Sequence, residues 1–176
     1  DADAGLVTRA SCAMTVPLAD ALKNYGLIRI ETPKLRGSVN LEGAKIDDLV
    51  LLTHRTALPK NSPPERLFSP SGTKKAYFAR FGWVGTGVTV PDDKSVWTPS
   101  ASALTPSTPV TLSWANPEGQ KFDIVLTIDE NYMISAKQRF TNAGTAPAEI
   151  ASFALLSRTG KPADATTGGS IFTHIH

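Results

Sequence analysis

The sequence predicts an all-β fold, an antiparallel β-sandwich, and three observations carry that prediction. First, from Val110 to Ser157 apolar residues alternate with polar ones: Val110, Leu112 and Trp114, then Phe122, Ile124, Leu126 and Ile128, then Tyr132, Ile134, Ala136 and Phe140 with polar Gln138 as the exception. Strand side chains alternate between faces, so each run offers one face to a core and the other to water. Second, turn formers interrupt the runs at short intervals, as at Asn116-Pro117-Glu118-Gly119, Asp129-Glu130-Asn131 and Asn142-Ala143-Gly144. The stretch reads as an antiparallel meander. Third, the 176 residues include 13 Gly and 13 Pro, which suits a chain of many turns and about nine or ten strands.

Ahead of the meander the elements follow the same logic. Residues 1–26 differ from the rest and read as a separate arm. Leu18, Ala21, Leu22 and Tyr25 fall at helical spacing, Asp20 lies early and Gly26 ends the run, so a short helix or a loosely ordered segment is expected. Residues 27–176 read as the sandwich. Leu27 to Glu31 alternates as a first strand, Leu35 to Leu41 as a second and Ile46 to Thr53 as a third. The third is apolar on both parities around Leu49–Leu52, which predicts cover on both sides. Residues 57–72 hold four prolines without periodicity and read as a loop. Lys75 to Trp83 returns to strand and Gly85-Thr86-Gly87 breaks it. Pro91-Asp92-Asp93-Lys94 is a turn, Val96-Trp97 a short strand and 98–109 a second loop. Asp164 to Gly169 reads as a connection, and Ile171 to His176 as a strand stopped in mid-course.

Composition excludes several functions. With 18 basic against 16 acidic residues the net charge is +2, scattered along the chain, which argues against nucleic acid. Lys74-Lys75 with Arg80 is the nearest thing to a basic cluster and reads as a solvated strand or turn. A single cysteine, Cys12, rules out an intramolecular disulfide and a zinc site built on thiolates. No apolar run reaches the roughly 20 residues of a membrane-spanning helix, and the acidic start Asp1-Ala2-Asp3 is unlike a secretory signal.

The residues that could carry chemistry do not converge. His174 and His176 are two apart and would share a strand face, but no carboxylate lies nearby in sequence to complete a metal site; His54 stands alone at a strand end. Asp47-Asp48 are adjacent in a strand, where neighbours point to opposite faces, and Asp92-Asp93 and Asp129-Glu130 lie in turns that favour Asp for its backbone hydrogen bonds. Ser69-Pro70-Ser71-Gly72 lacks the Gly-x-Ser-x-Gly pattern of a nucleophile elbow. Gly82-Trp83-Val84-Gly85-Thr86-Gly87 is followed by no helix that would present amides to a phosphate. Trp83, Trp97 and Trp114 could stack on a sugar or peptide, but each sits at an apolar-parity position and reads as core. No catalytic, cofactor-binding or metal-ligating residue is therefore assigned, and no cofactor is expected.

Order and spacing of several segments carry a resemblance. Thr32-Pro33 leads into LRGSVNLEGAKIDDLVLL from Leu35 to Leu52; Leu67-Phe68-Ser69-Pro70-Ser71-Gly72-Thr73 is followed by Tyr77 and Phe81-Gly82-Trp83; Leu104-Thr105-Pro106 approaches Trp114; Phe140-Thr141-Asn142-Ala143-Gly144 closes a long strand. From about Ile28 to Ser157 the chain resembles the periplasmic domain of the bacterial membrane protein insertase YidC, of the α-proteobacterial type. The resemblance implies a β-supersandwich of the galactose-mutarotase type, normally longer than this chain. The chain is then expected to be an excised soluble piece of a membrane-anchored protein, at the periplasmic face of the inner membrane. The resemblance further implies an accessory, non-enzymatic role in membrane protein insertion and folding. The implied partners are Sec translocon components, periplasmic chaperones or nascent membrane proteins. The family's insertion groove lies in a membrane core absent from this sequence, so no functional residue carries over. A carbohydrate-binding or sugar-processing β-sandwich is the alternative, and it needs an acid and a base facing each other in one cleft.

Overall fold

The computed structural model describes residues 17–21, 26–59, 61–144 and 146–160. Among them a helical turn, α1 (Leu18–Ala21), precedes eleven strands. These are β1 (Leu27–Glu31), β2 (Leu35–Asn40), β3 (Lys45–Arg55), β4 (Pro64–Phe68), β5 (Tyr77–Thr86), β6 (Thr98–Pro99), β7 (Ala103–Leu104), β8 (Val110–Ala115), β9 (Gln120–Ile128), β10 (Ile134–Asn142) and β11 (Glu149–Arg158). They form a large sheet in the order β11-β5-β3-β2-β1-β7, with β4 also paired to β3, and a small sheet in the order β10-β9-β8-β6.

The two sheets bury the rows that alternation marks as apolar. Ile28 and Ile30 of β1, Leu35 and Val39 of β2, Ile46 and Leu49 of β3 and Trp83 of β5 line the large sheet. Val110 and Leu112 of β8 and Phe122, Ile124, Leu126 and Ile128 of β9 line the small one. Phe122 is fully buried at the centre. It stands opposite Trp114 on β8 and Phe140 on β10, an aromatic row across three strands, with ring centroids 5.5 and 5.0 Å away. From the other sheet Trp83 meets it edge-on at 5.3 Å and stacks on Trp97 at 5.7 Å. Burying a side chain of this size contributes about 2–3 kcal/mol, and each aromatic pair adds about 1 kcal/mol.

The fold corrects the expected pairing in several places. The meander holds for β8, β9 and β10 only: β11 crosses to the large sheet and pairs with β5 over ten positions, Glu149↔Thr86 to Arg158↔Tyr77. Period-two alternation marks a strand and its apolar face but does not name its neighbour. The expected loop at 57–72 contains β4, which starts at Pro64, the strand position where a missing N–H is tolerated, and whose register slips twice against β3. The expected loop at 98–109 contains β6 and β7, and β7 runs parallel to β1. Val96 makes an isolated bridge to Glu42 rather than a strand with Trp97. β5 continues past Trp83 to Thr86, because Ala151, Ile150 and Glu149 of β11 pair with Val84, Gly85 and Thr86; within it the Phe153 ring lies over Gly82, where a Cβ would meet it at 2.5 Å. Of the expected arm, Leu18–Ala21 is helical. Cys12, the connection at 164–169, the strand at 171–176, His174 and His176 lie outside the described residues.

An acid is buried inside the large sheet. Ser38 pairs with Asp48 and Val39 with Ile46, so Asp47 is the extra residue of a β-bulge. It is 3% exposed. Asn40 Nδ2 donates to its Oδ2 at 3.3 Å, and its Oδ1 has no partner among the described residues. Burial, reinforced by the neighbouring charge of Asp48 and opposed by Asn40, pushes its carboxyl from 3.8 up to about 6. The folded state thus holds this proton more tightly than the unfolded one. Its stabilising effect is full below the ordinary carboxylate range and is lost as pH rises through about 6. Asp47→Asn should raise stability by up to about 3 kcal/mol at pH 7.5 and by little at pH 4. Urea unfolding across that range checks it, and a gain independent of pH would contradict the assignment.

Candidate functional surfaces

Among the described residues, the side chains singled out by sequence lie apart in space. Asp92 Oδ1 accepts from Ser95 Oγ at 2.8 Å and from the Lys94 amide at 3.0 Å; these bonds hold its carboxyl below the usual carboxylate range. Asp129 Oδ1 caps its turn by accepting from the amides of Asn131 and Met133 at 2.8 and 2.9 Å. Asp48 pairs with Arg66 on β4. His54, at the end of β3, bonds Thr53 Oγ1 through Nδ1 at 3.2 Å and lies edge-on to Tyr132, whose hydroxyl is 2.6 Å from the same Thr53 oxygen. This contact ties the β9–β10 turn to the large sheet. Among the described residues no group of three or more His, Cys, Asp or Glu side chains could hold a metal.

Trp83 and Trp97 are core residues, as their parity predicts. Trp114 is partly buried and borders a shallow hollow on the small sheet with Val96, Thr98, Ser113, Ala115 and Lys121. Lys74 and Lys75 are exposed in a turn, and Arg80 lies over the Phe153 ring at 5.8 Å. Gly82 to Gly87 run along β5 and its end.

Two surfaces remain that sequence inspection did not locate. One is the open side of the sandwich. β10 ends the small sheet and β11 the large one, with nine and ten residues of unpaired edge among the described residues. Edges usually end in short, bulged or charged strands. β10 follows this with Lys137 and Arg139 on its exposed face. β11 does not: Leu155 is 46% and Leu156 64% exposed, and Val84 of the neighbouring β5 is 57% exposed. Leu156, opposite Ala79, is on the parity of Trp83, so it belongs to the inward row and lies past the cover of the small sheet. The other surface is a hollow on the outer face of β1–β4, lined by Arg29, Arg36, Ser38, Asp48, Val50 and Arg66 among others. Neither is legible from periodicity, since both depend on which strands become neighbours. Among the described residues no helix is long and apolar enough to cross a membrane.

Comparison with known proteins gives the family. The family model for the YidC periplasmic domain matches residues 27–176. Relatives named membrane protein insertase YidC include one from Nitrobacter hamburgensis, 48% identical over 140 residues, which covers 77% of this chain and 23% of the relative. Another from Bradyrhizobium diazoefficiens is 43% identical over 139 residues, with the same shares. One from Zymomonas mobilis is 40% identical over 144 residues, covering 82% of this chain and 25% of the relative. The chain thus spans about a quarter of the length of the curated relatives it matches. The match runs over β1 to β11 in a single stretch, and this chain belongs to the YidC periplasmic domain family.

Proposed function

We propose that this chain is the accessory periplasmic module of a membrane protein insertase, and that it works by binding protein rather than by catalysis. The open side formed by β10 and β11 supports this reading best. An edge with an exposed leucine, Leu156, on its inward row is a surface for extended polypeptide, which pairs by backbone hydrogen bonds and buries alternate side chains. Its occupant is further strands of the same, longer polypeptide: the relatives are about four times as long as the matched segment, and Leu156 faces where a wider small sheet would cover it. The sandwich described here is then part of a larger one, at the periplasmic face of the inner membrane. The remaining outer faces meet Sec translocon components, periplasmic chaperones or nascent membrane proteins. A sugar-handling role finds less support, because Trp83 and Trp97 are packed in the core and offer no stacking platform.

Three outcomes are expected. In a chain extended beyond residue 176 with its own following sequence, β11 amides should exchange more slowly by at least tenfold than in residues 1–176. Leu156→Lys should destabilise the extended chain by about 2 kcal/mol and the shorter one by little. Equal exchange in both chains would remove the proposed occupant. Deleting residues 27–158 from the full-length insertase should slow membrane protein insertion in cells without abolishing it. Complete loss with normal protein levels would point to an essential rather than an accessory module.

A further inference from the structure

The outer hollow of the large sheet has the makings of an anion site. Register places two rows of side chains across it. Glu31, Arg36, Val50 and Arg66 are successive partners across β1 to β4, and Arg29, Ser38 and Asp48 form the next row. Directly paired residues share a face, so seven side chains from four strands converge there. The hollow encloses about 320 Å³, at the small end of ligand sites. Gly37 lines it where β2 and β3 approach each other very closely: a Cβ there would overlap the Asp48 carbonyl oxygen.

Charges in the hollow do not cancel. Arg66 is committed to Asp48. Arg29 reaches Glu31 loosely, at 3.5 Å, with both side chains more than half exposed. Arg36 stands opposite Glu31, yet among the described residues its guanidinium takes part in no ion pair or hydrogen bond. Ser38 lies beside it, 5% exposed, and its hydroxyl has no partner among the described residues. A buried hydroxyl without a partner is uncommon and marks a place where a polar group belongs. Val50, buried on the same face, supplies an apolar floor.

We propose that this hollow binds a phosphate-type oxyanion, with the Arg36 guanidinium forking onto two oxygens and the Ser38 hydroxyl donating to a third. A planar guanidinium matches that geometry, and a free one needs no existing ion pair broken. Arg29 adds positive charge at the rim. The oxyanion comes from free phosphate or from a phospholipid headgroup; both present the same chemistry.

The test uses residues 1–176 and follows backbone amide shifts of Arg36, Ser38 and Asp48. One titration replaces chloride by inorganic phosphate at constant ionic strength; another adds phosphatidylglycerol vesicles, with phosphatidylcholine vesicles as the reference. Saturable shifts confined to these residues, weakened about tenfold by Arg36→Gln and several-fold by Ser38→Ala, support the site with free phosphate as ligand. Binding only to phosphatidylglycerol, lost in Arg36→Gln, supports it with the headgroup as ligand. Arg36→Lys should retain part of the affinity, and an unchanged amide spectrum away from β2 shows that the variants are folded. Shifts that are diffuse or do not saturate, or binding equal in Arg36→Gln, would overturn the proposal.

Discussion

The contact between Trp83 and Phe122 is the joint on which the rest of the structure depends. It is where the large sheet meets the small one at the centre of the core, and Phe122 anchors the aromatic row that holds β8, β9 and β10 side by side. Trp97 extends the same cluster on the large-sheet side, and its amide bonds the Leu41 carbonyl at the end of β2 at 3.0 Å. Neither sheet alone could shield these rings. Each is half a core, and the stability of both comes from closing the interface between them.

Polar contacts fix the ends that the aromatic cluster does not reach. At one end Asn116 and Gln120, both buried, bond each other at 2.7 and 2.9 Å, while Asn116 also reaches the Thr89 carbonyl and Gln120 the Asn142 side chain. Every one of these amides has a partner, so the network rigidifies the turn instead of weakening it. Gln138, the polar residue in an apolar row, donates to the Gly82 carbonyl at 2.8 Å and stitches β10 to β5. The bulge at Asp47 is different. It leaves a carboxyl half-satisfied, and next to it the backbones of β2 and β3 crowd at Gly37. That irregularity lies beside the outer hollow, which Gly37 and Asp48 line.

Much of this was legible in the sequence, and the limits have a physical pattern. Alternation marked Phe122, Ile124, Leu126 and Ile128 as one buried row, and Trp83 as inward, because side-chain parity is a local property of an extended chain. The turn at Asn116–Gly119 followed from its residues, with Gly119 at a positive φ of 82°. The destination of β11 was not local: its pattern suits a neighbour on either sheet. β4 was hidden by its prolines, and β6 and β7 are too short to show a period. The open side and the outer hollow rest on pairings such as Glu31↔Arg36 and Ser38↔Asp48, which join residues from separate strands. The family resemblance supplied what periodicity could not, and the match over 27–176 agrees with it.

The most direct test of the central claim is amide exchange and urea unfolding of Phe122→Ala. Loss of the ring should cost about 3–5 kcal/mol, and the amides of β1, β2 and β9 should lose protection together, because the sheets close as one unit. Loss of protection in the small sheet alone, with β1–β3 as protected as before, would show that the large sheet is stable without its partner and would contradict the account.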